Sequence, residues 1–252
     1  MNGPRASSVA LRRARPLLGT LVEVGVCGDG DAALHAACDA AFDAVAQVQR
    51  ALSRFDADSD IARFNALAAG GRLDLQSHTA TVLSAARQLF VDSDGVFDVS
   101  LGSAPTGWLL DGTMLHKLHA DAHLDLGGVG KGHAVDCAVQ ALRSAGVAGG
   151  WVNAGGDLRS FGSATVELKL RDERRGGVVD FGRLHDGAFA TSCFAAGARS
   201  RLTASRRVST HSHVSVAAPS CLLADALTKV VAASGDPRHP LLARADAQAW
   251  LH

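Results

Sequence analysis

The sequence predicts an α+β fold, a single domain with helices mostly in the first half and a mainly antiparallel sheet in the second. Helical spacing of small apolar residues dominates the first half. Short β-branched runs separated by glycines dominate the second half, and no regular strand–helix alternation runs through the chain. The 252 residues are 47% hydrophobic and 20% charged with a formal net charge of zero, which excludes intrinsic disorder. A neutral chain also lacks the positive field of a dedicated nucleic-acid binder. No run reaches the roughly 18 apolar residues of a membrane span.

Taken in order, Leu17 to Val26 reads as a first strand, and Asp29-Gly30-Asp31 turns into a helix carrying Ala33, Ala37, Ala41, Val45 and Val48 on one face. A short helix starts at Asp58 or Ser59, either of which can cap it, and a third runs from about Ser77 to Asp94 before Gly95. His123 to Gly132 reads as strand to loop, and Lys131 to Ala145 as a helix stopped by Gly146. Strands are expected at Trp151 to Asn153, Ala164 to Leu170, Val178 to Phe181, Ala188 to Ser192 and Val208 to Ala217, and a last helix at Cys221 to Ala233. Residues 1–15, with Arg5, Arg12, Arg13 and Arg15, are read as a flexible arm, and 16–252 as the domain. The apolar run after the arginines is too broken for a secretory core, so the expected location is cytoplasmic, or periplasmic if an upstream leader has been removed. Five scattered cysteines without a C-x-x-C pair fit neither a disulfide framework nor a structural zinc site. His116, His119 and His123 have spacings that would align imidazoles on a helix, but they precede a strand and are read as ordinary loop histidines.

The segment Asp125-Leu126-Gly127-Gly128-Val129-Gly130-Lys131-Gly132 has the most chemical character. A loop entering a helix offers backbone amides and the helix dipole to an anion, typically phosphate. It is not a P-loop, because Gly132 stands where Ser or Thr is required, and His133 and Val135 interrupt a dinucleotide fingerprint. A second cluster, Asn153-Ala154-Gly155-Gly156-Asp157-Leu158-Arg159, is either a hairpin turn or a close backbone approach to a ligand flanked by Asp157 and Arg159.

Together with Pro16-Leu17-Leu18-Gly19-Thr20, Leu52-Ser53-Arg54-Phe55, Ser59-Asp60-Ile61-Ala62-Arg63-Phe64-Asn65, Gly95-Val96-Phe97-Asp98-Val99, Ala190-Thr191-Ser192 and Ala224-Asp225-Ala226-Leu227-Thr228, these segments resemble the ApbE-type FAD:protein FMN transferase family, in the family's order. The resemblance implies an enzyme that moves FMN from FAD onto a threonine of an acceptor protein, releasing AMP with help from Mg2+. A flavin-binding relative without transfer, or a slow FAD pyrophosphatase, are the alternatives. Carried over by position, Leu18 lines the flavin pocket and Phe55 takes the aromatic place beside the isoalloxazine. Val96, Phe97 and Asp98 lie along the adenosine, Asp125 and Lys131 contact FAD, and Gly155 and Gly156 border it. The Gly128 carbonyl, Asp225 and Thr228 are the implied Mg2+ ligands. The family places a metal-binding hydroxyl four residues after Asp225, where this chain has Lys229. That ammonium either repels Mg2+ or stands in for it, and the reading favours a weakened or absent metal site. The family's His-x-x-Asp-Pro-x-Thr-Gly segment is missing between Cys193 and Val214, where His211 is either a replacement general base or orienting group, or an ordinary strand histidine.

Overall fold

The computed structural model describes residues 9–171, 176–195 and 213–252. Strands β1 (Leu11–Leu17) and β2 (Thr20–Cys27) precede helices α1 (Asp31–Leu52) and α2 (Asp60–Ala66). Next come β3 (Arg72–Asp74), α3 (Ser77–Asp92), β4 (Trp108–Asp111), β5 (Met114–Lys117) and α4 (Gly130–Ser144). Five strands follow: β6 (Gly149–Ala154), β7 (Asp157–Gly162), β8 (Thr165–Arg171), β9 (Val178–His185) and β10 (Ala188–Cys193). The chain then forms β11 (His213–Ala218), α5 (Cys221–Ser234), α6 (Pro240–Arg244) and β12 (Gln248–Leu251).

The main sheet has seven strands in the order β1-β2-β6-β7-β10-β11-β12, every neighbouring pair antiparallel. This is the α+β architecture expected from the sequence. The period-two rule assigns its faces. Val22, Val24, Val26, Val152, Ala154, Ala188, Ala190, Val214 and Val216 point to one side and join the buried faces of α1, α4 and α5 in one core. On the other side Leu158 and Phe189 meet Leu168, Leu170 and Leu184 of the β8–β9 hairpin, with Trp151, Phe181 and Trp250 packed at their margin. Each buried Val or Leu contributes roughly 1.5–3 kcal/mol, so both faces of the sheet are anchored.

Two packing details place the site. In α4, a β-carbon built on Gly132 would lie 2.2 Å from the Cys221 carbonyl oxygen, so only glycine lets α4 and α5 approach this closely. Asp136 of α4 then accepts hydrogen bonds from the Cys221 and Leu222 amides at 2.9 Å each, holding the first turn of α5 against α4.

Three sequence expectations are corrected. The arm does not extend to residue 15, because β1 begins at Leu11. Its arginines sit on the sheet edge, with Arg12 paired to Glu23 and Arg13 and Arg15 to Asp39. The segment 123–129 contains no strand: Asn65 of α2 bonds both the amide (2.8 Å) and the carbonyl (3.0 Å) of Leu124, using groups a strand would need. Within the described residues, the strand expected from Val208 begins at His213.

Candidate functional site

The glycine loop enters α4 without a cap from the Val129 side chain, and the Gly132 amide of the first turn is met by Asp225 of α5 instead. Asp125 fixes the loop from its start. Its carboxylate accepts the Gly127 amide at 2.9 Å, and its own amide donates to the Val99 carbonyl at 2.8 Å. The loop at 125–129 and the segment at 95–102 are thereby locked side by side.

Lys131, in the first turn of α4, is ion-paired with Asp157 at the start of β7, and its Nζ lies 3.9 Å from Asp225 Oδ2 on α5. Lys229, one turn after Asp225, pairs with Asp225 Oδ1 and donates to the Asp225 carbonyl and the Ser192 hydroxyl, each at 3.0 Å. The Thr228 hydroxyl donates to the same carbonyl at 2.7 Å and lies 2.8 Å from Ser192 Oγ. The Gly132 amide donates to Asp225 Oδ2 at 3.3 Å. Two ammoniums and two carboxylates are thus gathered where α4, α5, β7 and β10 meet. Asp157, Asp225 and Lys229 are only 1, 0 and 7% exposed.

Burial sets the ionisation of this cluster. It raises the Asp157 carboxyl to about 6, with the Asp225 charge adding to the rise and Lys131 and Lys229 opposing it. Burial pushes Asp225 the same way, but Lys131 and Lys229 outweigh it and hold that carboxyl below its ordinary value. The Lys131 ammonium loses to burial and regains more from Asp225 and Asp157, so it stays charged. Asp157 Oδ1 is buried without a hydrogen-bond partner, as expected of an oxygen that takes up a proton easily.

The implied Mg2+ ligands can be tested against this geometry. Asp225 and Thr228 do converge, and a β-carbon on Gly128 would touch Lys229 Cε at 3.4 Å, so the lysine stem lies against the glycine loop. Both carboxylate oxygens of Asp225 already face N–H donors, and the Lys229 ammonium occupies the space between Asp225 and Ser192. This donor set fits an ammonium in the cation position and does not fit Mg2+.

The remaining predicted residues divide. Phe55 is 83% exposed, with the Arg54 guanidinium 4.1 Å from its ring centre, and Arg54 Nε lies 3.4 Å from Asp125. This row joins the surface to the glycine loop and borders an open groove also lined by Ala62, Arg63 and Ala66 of α2. Leu18 sits in the two-residue β1–β2 turn with φ 55°, its amide bonded to Gln49. Val96 is half-buried against the core. Asp98 is engaged by the Ser100 and Gly102 amides, both at 2.8 Å. Phe97 is corrected as a pocket side chain, because its ring is 4% exposed and belongs to the core. Gly155 and Gly156 form the β6–β7 hairpin turn, and a β-carbon on Gly155 would strike Thr20 Oγ1 at 2.5 Å. The close approach at Gly155 is therefore to the chain itself. His211 lies outside the described residues.

The site also contains Ser192 and Asp157, to which the resemblance assigns no role. Ser192 was visible only within a family motif, and its alternation with Ala188 and Ala190 could have aimed it at the helices. From sequence, Asp157 is expected only to flank the second glycine cluster, whether that is a hairpin turn or an approach to a ligand. Its position directly after a glycine pair, at the start of a strand, is what turns it inward.

An α+β protein with a buried cation cluster behind a glycine loop is the class that fold and site define. The model of the ApbE family matches residues 18–114 and 105–251, so the chain belongs to that family. Its fold is similar to the flavin transferase ApbE from Vibrio cholerae, with 19% identity, TM-score 0.79, and 96% of this chain and 92% of that one covered. The ApbE protein of Thermotoga maritima matches at 20% identity and TM-score 0.82, covering 96% of this chain and 93% of the other. Apo flavinyl transferase ApbE from Pseudomonas stutzeri matches at 24% identity and TM-score 0.74, over 88% and 83%. No curated protein matches in sequence. Among the described residues, no helix is long and apolar enough to cross a membrane.

Proposed function

We propose that this chain is an FAD:protein FMN transferase whose pyrophosphate-side cation is Lys229. The observation that carries the reading is the placement of Lys131 and Lys229 together behind the glycine loop, in a chain of the ApbE family. FAD is the donor substrate. Its pyrophosphate would lie at the amino end of α4, its adenosine along Val96 and Asp98, and its flavin beside Phe55 and Leu18. A threonine oxygen of the acceptor protein bonds to the phosphorus on the FMN side, and the bond from that phosphorus to the bridging oxygen breaks. AMP leaves with that oxygen. The hydroxyl proton passes to solvent through a general base, the role for which the family resemblance offers His211.

Charge builds on the bridging oxygen as it departs, and positioned cations lower that barrier. In the family this is assigned to Mg2+. Here Asp225, Thr228 and the Gly128 carbonyl are the places an ion would use, and the buried Lys229 ammonium supplies a fixed charge there instead. Lys131, more exposed, contacts the phosphates directly.

The test incubates the protein with FAD, with and without an acceptor bearing the threonine, and measures AMP and acceptor mass. The expected result is AMP only with acceptor, plus an FMN mass increment on that acceptor. AMP without labelling would favour a pyrophosphatase, and FAD retained with neither product a binding protein.

A further inference from the structure

On the face of α4 turned away from Lys131, a second cluster uses different chemistry. His133 and Cys137 lie four residues apart on α4, and His78 stands in the first turn of α3, 55 residues earlier in the chain. His78 Nδ1 is 3.2 Å from His133 Nε2, and Cys137 Sγ lies 3.5 Å from His133 Nε2 and 3.9 Å from His78 Nδ1. Among the described residues this is the group of three such side chains whose ligand atoms converge, and it does not include His116, His119 or His123.

We propose that His78, His133 and Cys137 form a binding site for a thiophilic divalent transition-metal ion of the zinc class. An ion held tetrahedrally by imidazole at about 2.0–2.1 Å and thiolate at about 2.3 Å separates two nitrogens by about 3.3 Å, and each nitrogen from sulfur by about 3.6 Å. The three separations here fall close to that triangle. The rings meet edge to face, at 67° with centroids 5.4 Å apart, so they do not stack. A hydrogen bond between the imidazoles accounts for one of the three contacts, but not for the thiol facing both nitrogens. Soft nitrogen and sulfur ligands select zinc-class ions over Mg2+, so this site is chemically separate from the phosphate site.

The ion takes the Cys137 sulfur as a thiolate, and the thiol proton leaves to solvent. His78 and Cys137 are only half-buried, which leaves a route for the ion. The ion would cross-link α3 to α4, the helix that carries Lys131.

The experiment uses the full chain, treated with chelator and desalted, with Co2+ as the probe. One Co2+ per chain should give tetrahedral visible bands and a near-ultraviolet thiolate-to-cobalt band, both removed by Zn2+. Cys137→Ser should lose the ultraviolet band, and His78→Gln, at a half-exposed helix position, should weaken Co2+ binding by tens of fold with circular dichroism unchanged. Zn2+ should raise the melting temperature of the wild type but not of His78→Gln. Absence of the ultraviolet band at stoichiometric Co2+, or its persistence in Cys137→Ser, overturns the proposal.

Discussion

The two ends of the proposed FAD groove are built on opposite principles. At the phosphate end Asp157, Asp225 and Lys229 are almost fully buried, and each is held by side chains from other elements or by the next helical turn. At the flavin end Phe55 is 83% exposed and leans on one arginine. A buried cluster of charges is fixed by the fold, so disturbing it costs stability before it costs function. An exposed aromatic contributes to ligand affinity without supporting the fold. The phosphate end is pre-formed and the flavin end is open.

The sharpest way to break this contrast is Asp225→Ala. It strands Lys229 and weakens the hold on Lys131, and should cost about 3–5 kcal/mol in denaturant unfolding. A loss below about 1 kcal/mol, typical of an exposed ion pair, would show that the cluster is not structurally buried in solution. Gly132→Ala comes next. Forcing a methyl against the Cys221 carbonyl should cost about 1–3 kcal/mol and weaken FAD binding in parallel, by separating α4 from α5. An unchanged melting temperature would mean the helices have room to spare.

The exposed end should respond the other way. Phe55→Ala is expected to weaken FAD binding about tenfold, the order of one aromatic contact, with no change in melting temperature. A folding defect without an affinity defect would reverse the assignment. The smallest effect concerns pH. Asp157 is a carboxyl whose folded pKa is raised above its ordinary value, so its ionised form burdens the folded cluster at pH above about 6. As pH falls through that value the negative charge facing the phosphates disappears, and FAD binding should tighten a few-fold. Asp157→Asn should flatten this dependence. Asp225 has the opposite sign: its stabilisation is present above its ordinary carboxyl range and is lost only at lower pH.

Much of the fold was legible because the sequence repeats a simple instruction along each element. Ala37, Ala41, Val45 and Val48 fall on the buried face of α1, with only Ala33 of the expected row exposed, and the last helix was placed to within a residue at its end. Strand β1 was not legible, because the alternation of Arg12, Ala14 and Pro16 with Arg13, Arg15 and Leu17 carries no apolar face of its own. It forms by pairing with β2 at an edge where charge is tolerated. The site was legible where one local segment sets the geometry, as at Asp125 to Gly132. It was not legible where the partner is distant. Ser192 reaches Lys229 only because β10 lies under α5, and nothing local distinguishes Phe97 in the core from a pocket aromatic. His78 meets Cys137 for the same non-local reason.

The most direct measurement is AMP release from FAD in the presence of a threonine acceptor, with Mg2+ withheld or supplied, for the wild type and for Lys229→Thr. A resident ammonium predicts wild-type turnover that does not need the ion, and a variant that acquires the requirement. Wild-type turnover that vanishes without Mg2+ would contradict the account, because an ion would then be acting where Lys229 has been placed.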